Sequence, residues 1–214
     1  MAGRDDAGAG DWLVLVCQLP AKSAGLKSLV HRRLTAAGAV YLSRACVVAP
    51  AGVGGAGGAG AGASAERVMR RMRAIIADAG GTAVLLRAAA LGGGEQLIAA
   101  LEEARDREYD EIIAGCREGL TVVGALIEAR DFRYAELSEG DTRLKRLDAR
   151  YRAVESRSTP WAEPAGPQAG AGVAGVAVAG AVAGKAREAA SALAGYRSAL
   201  DVYGSGVYAT DSAS

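Results

Sequence analysis

The chain has 214 residues, and half of them count as hydrophobic. Of these, 49 are Ala, and with 30 Gly the two smallest residue types make up 37% of the sequence. The larger apolar side chains, only about 27% of the chain, suffice for one modest core and some helix seams but exclude a large enzyme domain with a deep pocket. The composition also excludes a collagen repeat, a disulfide scaffold and a wholly disordered chain. The formal net charge of +1 conceals a division: residues 1–90 carry 11 Lys/Arg against 5 Asp/Glu, whereas residues 91–163 carry 11 against 16. Fields act locally, over a Debye length of about 8–10 Å, so this split carries information that the total does not.

Residues 1–11, MAGRDDAGAGD, lack the basic-then-apolar layout of a signal peptide and are expected to be disordered. Trp12–Gln18, WLVLVCQ, is a continuous apolar run ended by Leu19-Pro20, as a strand buried on both faces would be. A helix is expected over 22–37, with Leu26, Val30, Leu34 and Ala37 inward, Lys27, His31 and Arg32 outward, and Gly38 closing it. Ala39–Leu42 and Ala45–Ala49 read as short strands around Ser43-Arg44, the second ended by Pro50. An Ala/Gly loop follows over 51–63. Ser64 then caps a helix to Ala79, with Val68, Met72, Ile75 and Ala79 inward and Arg67, Arg70 and Arg71 outward; Gly80-Gly81 stops it. Thr82–Arg87 is the last strand.

The order β-α-β-β-α-β predicts an α+β fold, with a ferredoxin-like antiparallel sheet over residues 12–90 and both helices on one face. Because the first strand is apolar on both sides, the other face must be covered by the rest of the chain or by a second copy. Residues 91–209 carry three heptad seams, expected to build an antiparallel helical bundle with coiled-coil packing. The first runs through Tyr109, Ile113, Cys116, Leu120, Val123 and Ile127. The second holds Leu137, Leu144, Leu147, Tyr151 and Val154, and the third Ala189, Leu193, Tyr196, Leu200, Tyr203 and Val207. The break between the first two falls near Arg130-Asp131-Phe132. Gly115, Gly119 and Gly124 lie inside the first helix and mark either close packing or compositional drift. The uncharged stretch 164–184 is too rich in Gly and too poor in large apolar residues to span a membrane and is expected to be a linker, and 210–214 a tail.

WLVLVCQLP, followed by the basic helix and HRRLTAAGAVYLSRACVVAP, resembles the opening of the N-terminal domain of the ChrB chromate-resistance proteins. EQLIAALEEARDREYDEIIAGC, with its core Ala104-Arg105-Asp106-Arg107-Glu108-Tyr109, is the most specific match, and the helix ending Val207-Tyr208-Ala209 fits too. The resemblance covers residues 12–49, 64–160 and 185–209. It implies a role in chromate resistance, where full-length members act as chromate-responsive regulators beside an efflux transporter; those members carry a further C-terminal domain that these 214 residues do not include. The ferredoxin-like part is also similar to PaaX-type repressors and to small CRISPR-associated nucleases. In the nucleases the first strand ends in a metal-binding Asp. Here Gln18 stands at that place, and a neutral amide is a poor ligand for magnesium.

The leading functional feature is basic. Lys22, Lys27, His31, Arg32 and Arg33 on one helix, with Arg44, Arg67, Arg70, Arg71 and Arg73, suit phosphate or an oxyanion if the two helices lie side by side. The alternatives are a surface that pairs with the acidic helices or a partner protein, as Arg33, Arg67 and Arg71 could, and plain solvation. The absence of aromatics from this face disfavours single strands. His31 is the single histidine, and with no carboxylate, Ser or Cys at catalytic spacing no enzyme is expected. Cys17 and Cys46 fall on neighbouring strands and are redox candidates, although inert buried Cys is commoner. With three scattered cysteines and one histidine, neither a metal site nor a cofactor is expected. The partners this leaves are duplex DNA, chromate and a second copy of the chain, in the cytoplasm and away from membranes.

Overall fold

The computed structural model describes residues 12–21, 23–51, 61–158 and 173–211. The expected N-terminal tail, Lys22, most of the Ala/Gly loop and the first part of the 164–184 linker lie outside the described residues. The fold is mixed α+β: β1 (Trp12–Gln18), α1 (Ala24–Ala36), β2 (Val40–Tyr41), β3 (Cys46–Pro50), α2 (Ala61–Asp78), β4 (Thr82–Ala88), α3 (Gly94–Glu128), α4 (Tyr134–Ser158) and α5 (Val173–Asp211). It divides into two compact units, residues 1–104 with 156–179 and residues 105–155 with 180–214. The division falls inside α3.

In the first unit four strands form one antiparallel sheet in the order β2-β3-β1-β4. β1 is central. It pairs Leu15 with Val47 of β3 and with Leu85 of β4. Leu13, Leu15 and Cys17 alternate onto one face, where they join Val47, Ala49, Val30, Leu34, Ala65, Met69, Met72 and Ile76 in a single buried cluster. Both α1 and α2 therefore cover the same face. On the other face Trp12 and Val48 are buried, whereas Val16, Val84 and Leu86, towards the β4 edge, are 43%, 54% and 49% exposed. Among the described residues that face is buried at Trp12 and on the β3 side and open on the β4 side.

Both helices of this unit stop in the way their glycines dictate. Gly38 (φ +80°) and Gly80 (φ +78°) take the left-handed conformation. Each terminus closes with paired bonds, Ala39 N–H to Leu34 O with Gly38 N–H to Thr35 O, and Gly81 N–H to Ile76 O with Gly80 N–H to Ala77 O.

Three details differ from the sequence expectation. α1 begins at Ala24, with Ser23 Oγ donating to Pro20 O (2.5 Å) instead of capping. α2 begins at Ala61, so Ser64 lies within the helix and is not its cap. Its buried stripe is Ala65, Met69, Met72 and Ile76, with Val68 and Ile75 only part-buried at the margin. That is a rotation of about one residue, because the two methionines reach the sheet better than the short valine does.

The second unit holds most of the three seams, with Leu120, Ile127, Leu137, Leu147 and Tyr151 part-buried at their margin and Ile112 buried in addition. Tyr109, Ile113, Cys116 and Val123 of α3, Leu144 and Val154 of α4, and Ala189, Leu193, Tyr196, Leu200, Tyr203 and Val207 of α5 are buried in one cluster. The α3–α4 break falls at Arg130-Asp131, where Arg130 takes φ 53° and closes α3 with the same paired bonds without a glycine. α5 is longer than expected: from Val173 the anticipated linker is helical. No helix among the described residues is long and apolar enough to cross a membrane.

Candidate nucleic-acid interface

α1 and α2 pack against one another and bury their apolar stripes in the same cluster, so their polar sides form neighbouring parts of one surface. Lys27, His31, Arg32 and Arg33 of α1 and Arg67, Arg70, Arg71 and Arg73 of α2 are all exposed. The two helices together carry seven Lys/Arg against two acids, Glu66 and Asp78. Glu66 is already engaged. It accepts from Arg70 Nη2 (2.6 Å) and Nε (2.9 Å) and from Arg87 Nη2 (3.3 Å). The Arg70 hydrogen bond, together with the charges of both guanidinium groups, holds its carboxyl below the usual range. Lys27, Arg32, Arg33, Arg67, Arg71 and Arg73 make no ion pair with another described residue.

Arg44 is exposed in the β2–β3 connection, off the two helices. Lys22 is outside the described residues. The sequence reading missed two contributors. Glu66 was legible as the i, i+4 partner of Arg70. Arg157, at the end of α4 but within the same unit, donates from Nη1 to Thr35 O (3.2 Å) at the C-terminus of α1, a placement suited to that end of a helix dipole. Nothing local in sequence connects positions 35 and 157.

The remaining candidates separate. The His31 ring lies against Tyr41, centroids 5.0 Å apart. Cys17 and Cys46 are on adjacent strands, but Cys46 stands opposite Val16 on the face away from the helices, whereas Cys17 belongs to the buried cluster. Side chains on opposite faces cannot be bridged without moving backbone. Burial, with a smaller contribution from Cys46, pushes the Cys17 thiol up, away from the reactive thiolate. No group of three metal-binding side chains occurs among the described residues. In the helical unit a shallow cavity of about 360 Å³ sets Arg143 and Arg146 against Glu118 and Glu139, with Gly115 and Leu147. The acids there offset the basic groups, so it lacks the charge excess of the helix pair.

What these parts define is a small antiparallel sheet with a basic two-helix surface, joined to a helical unit built on heptad seams. The family model for the N-terminal part of protein ChrB matches residues 27–177, well over half of the chain. The chain belongs to the ChrB N-terminal domain family and is thereby associated with chromate resistance. No curated protein and no solved structure matches it.

Proposed function

We propose that this chain is a non-enzymatic regulatory or accessory factor of the chromate response that binds duplex DNA through the outer surfaces of α1 and α2. In this reading the first unit is a ferredoxin-like domain and the second an antiparallel helical bundle, both acting in the cytoplasm, where its three free thiols would persist. The observation that carries it is the uncompensated charge of the helix pair. Six of its basic side chains have no acidic partner among the described residues, while eight acids of the second unit pair with basic residues of that same unit. Asp110 pairs with Lys185, Glu111 with Arg150, Glu188 with Arg117 (3.0 Å) and Asp148 with Arg152 (2.7 Å). That internal pairing takes support away from the rival reading, in which the acidic helices serve to neutralise the basic surface.

Guanidinium groups on an exposed helix pair suit a phosphate backbone, and binding of this kind is strongly salt-dependent. A gel-shift titration with the chain's own upstream region should show binding at low salt. With about five phosphate contacts, log K should fall with log salt at a slope of about −4 to −5. Arg67→Ala with Arg71→Ala should weaken binding and flatten the slope by about 2. Absence of binding at low ionic strength removes the DNA reading. Retention of a protein partner by wild type but not by the same variant would then favour the interaction-module alternative.

A further inference from the structure

The two edges of the sheet are treated differently. β2, at one edge, is two residues long, and shortness is one of the standard ways to keep an edge from recruiting another strand. β4, at the other, runs for seven residues, Thr82–Ala88, and among the described residues it is paired on one side only. It holds no proline. Its single charge, Arg87, pairs with Leu13 in register and so lies on the helix-covered face, tied to Glu66. The other face of β4 presents Thr82, Val84, Leu86 and Ala88. Val84 and Leu86 are about half exposed, and the exposure continues onto Val16 of β1 beside Val84. The open apolar patch therefore adjoins the open edge, while on the same face Trp12 and, on the β3 side of Val14, Val48 are buried.

An open edge specifies a strand as occupant, and the residues of β4 specify which one. An antiparallel copy of β4 with the twofold axis at Leu85 sets Val84 opposite Leu86, Ala83 opposite Arg87, Thr82 opposite Ala88 and Leu85 opposite itself. Apolar side chains meet apolar side chains on the open face. No charge meets its like on the other, and the in-and-out alternation of both strands is kept. Such self-complementarity is what a closed twofold interface requires. We infer that the chain forms a homodimer by antiparallel pairing of β4 with β4 of a second copy, giving one continuous eight-stranded sheet. The patch Val16, Val84 and Leu86 of each copy then becomes a single covered strip. The α1–α2 pairs of both copies lie on the same side of that sheet, related by the twofold. The inference stands apart from DNA binding, although a twofold pair of basic surfaces would suit an inverted-repeat site.

Sedimentation equilibrium on the full chain tests it. Wild type should dimerise at roughly micromolar concentration, the range usual for modest interfaces. Val84→Lys and, separately, Leu86→Lys place a charge in the strip at exposed positions. Each should weaken the dimer at least about a hundredfold with the circular dichroism spectrum unchanged. Combining Val84→Glu with Leu86→Lys in one chain sets opposite charges across the twofold and should restore the dimer. A monomeric wild type at about 100 µM, well above such a dissociation constant, overturns the inference. So does a dimer that both single substitutions leave intact. Failure of the charge pair to restore association overturns the proposed register.

Discussion

Three glycines on α3 look alike in the sequence and are physically unlike. A Cβ on Gly119 would enter the Tyr196 ring, and one on Gly115 would come within 2.9 Å of Leu147 Cδ2, whereas one on Gly124 would meet nothing within 4 Å. Gly119 is matched across the interface by Gly140 of α4, whose carbonyl accepts from the Tyr196 hydroxyl at 3.3 Å. The Tyr196 ring thus lies against the bare backbone of Gly119, while the room left by Gly140 is taken by Leu200. Gly119→Ala is expected to destabilise the chain by about 1–3 kcal/mol through overpacking. Gly124→Ala should stabilise it by up to about 1 kcal/mol, the ordinary helix preference for alanine. Urea unfolding of the two variants side by side checks the sign as well as the size. Composition cannot make this distinction, because the difference lies in what stands opposite each glycine.

Elements were legible where a period ran long enough. The three seams extend over five or six apolar positions each; twelve of these are buried, Leu120, Ile127, Leu137, Leu147 and Tyr151 are part-buried against the same cluster, and fully buried Ile112 lay outside the seam as read. The stripe of α2 was not legible, because Val68–Ile75 and Met69–Ile76 are both acceptable stripes and only the sheet beneath chooses between them. The α3–α4 turn shows a further limit. Tyr203 was legible as a seam residue, but its hydroxyl does something the heptad cannot encode: it accepts from Arg133 N–H (2.8 Å) and donates to Asp131 O (2.8 Å). A fully buried ring on α5 thereby satisfies the backbone of a turn 70 residues earlier, next to Phe132, whose ring centroid is 5.5 Å away. Tyr203→Phe keeps the ring and strands those groups. A loss of about 0.5–1.5 kcal/mol is expected, the net worth of part-buried hydrogen bonds whose partners solvent can reach. Amide exchange at Arg133 should quicken in the same variant, and an unchanged rate would show that the hydroxyl does not hold the turn.

At the scale of the whole chain, the charge division seen in the sequence survives as a basic two-helix surface in one unit and, in the other, an acidic unit many of whose acids pair internally. What the sequence did not disclose is how unevenly folding couples to pH. In both buried clusters burial pushes thiols and phenols up: Cys17 with a smaller push from Cys46, Tyr41 with one from Cys17, and Cys116. Tyr151 and Tyr196 shift the same way, with Arg143 partly opposing the shift at Tyr196. A raised pKa means that the folded chain holds these protons where the unfolded chain has already released them. Their contribution is therefore fully present below the unfolded thiol value of about 8.5, and it is lost as pH rises through the folded values. On the acid side the lowered carboxyl of Glu66 is in partial contact with solvent and pairs with exposed guanidinium groups, so the corresponding loss below the usual carboxylate range is small. Stability measured by urea unfolding should be nearly level from pH 6 to 8. Above about pH 8.5 it should decline, by at most about 1.4 kcal/mol per pH unit for each thiol involved, and more steeply past about pH 10 as the phenols join. Replacing Cys17 and Cys116 by Ala together should remove the first part of that decline and leave the second. An equally early decline in the double variant would place its origin outside the two buried thiols.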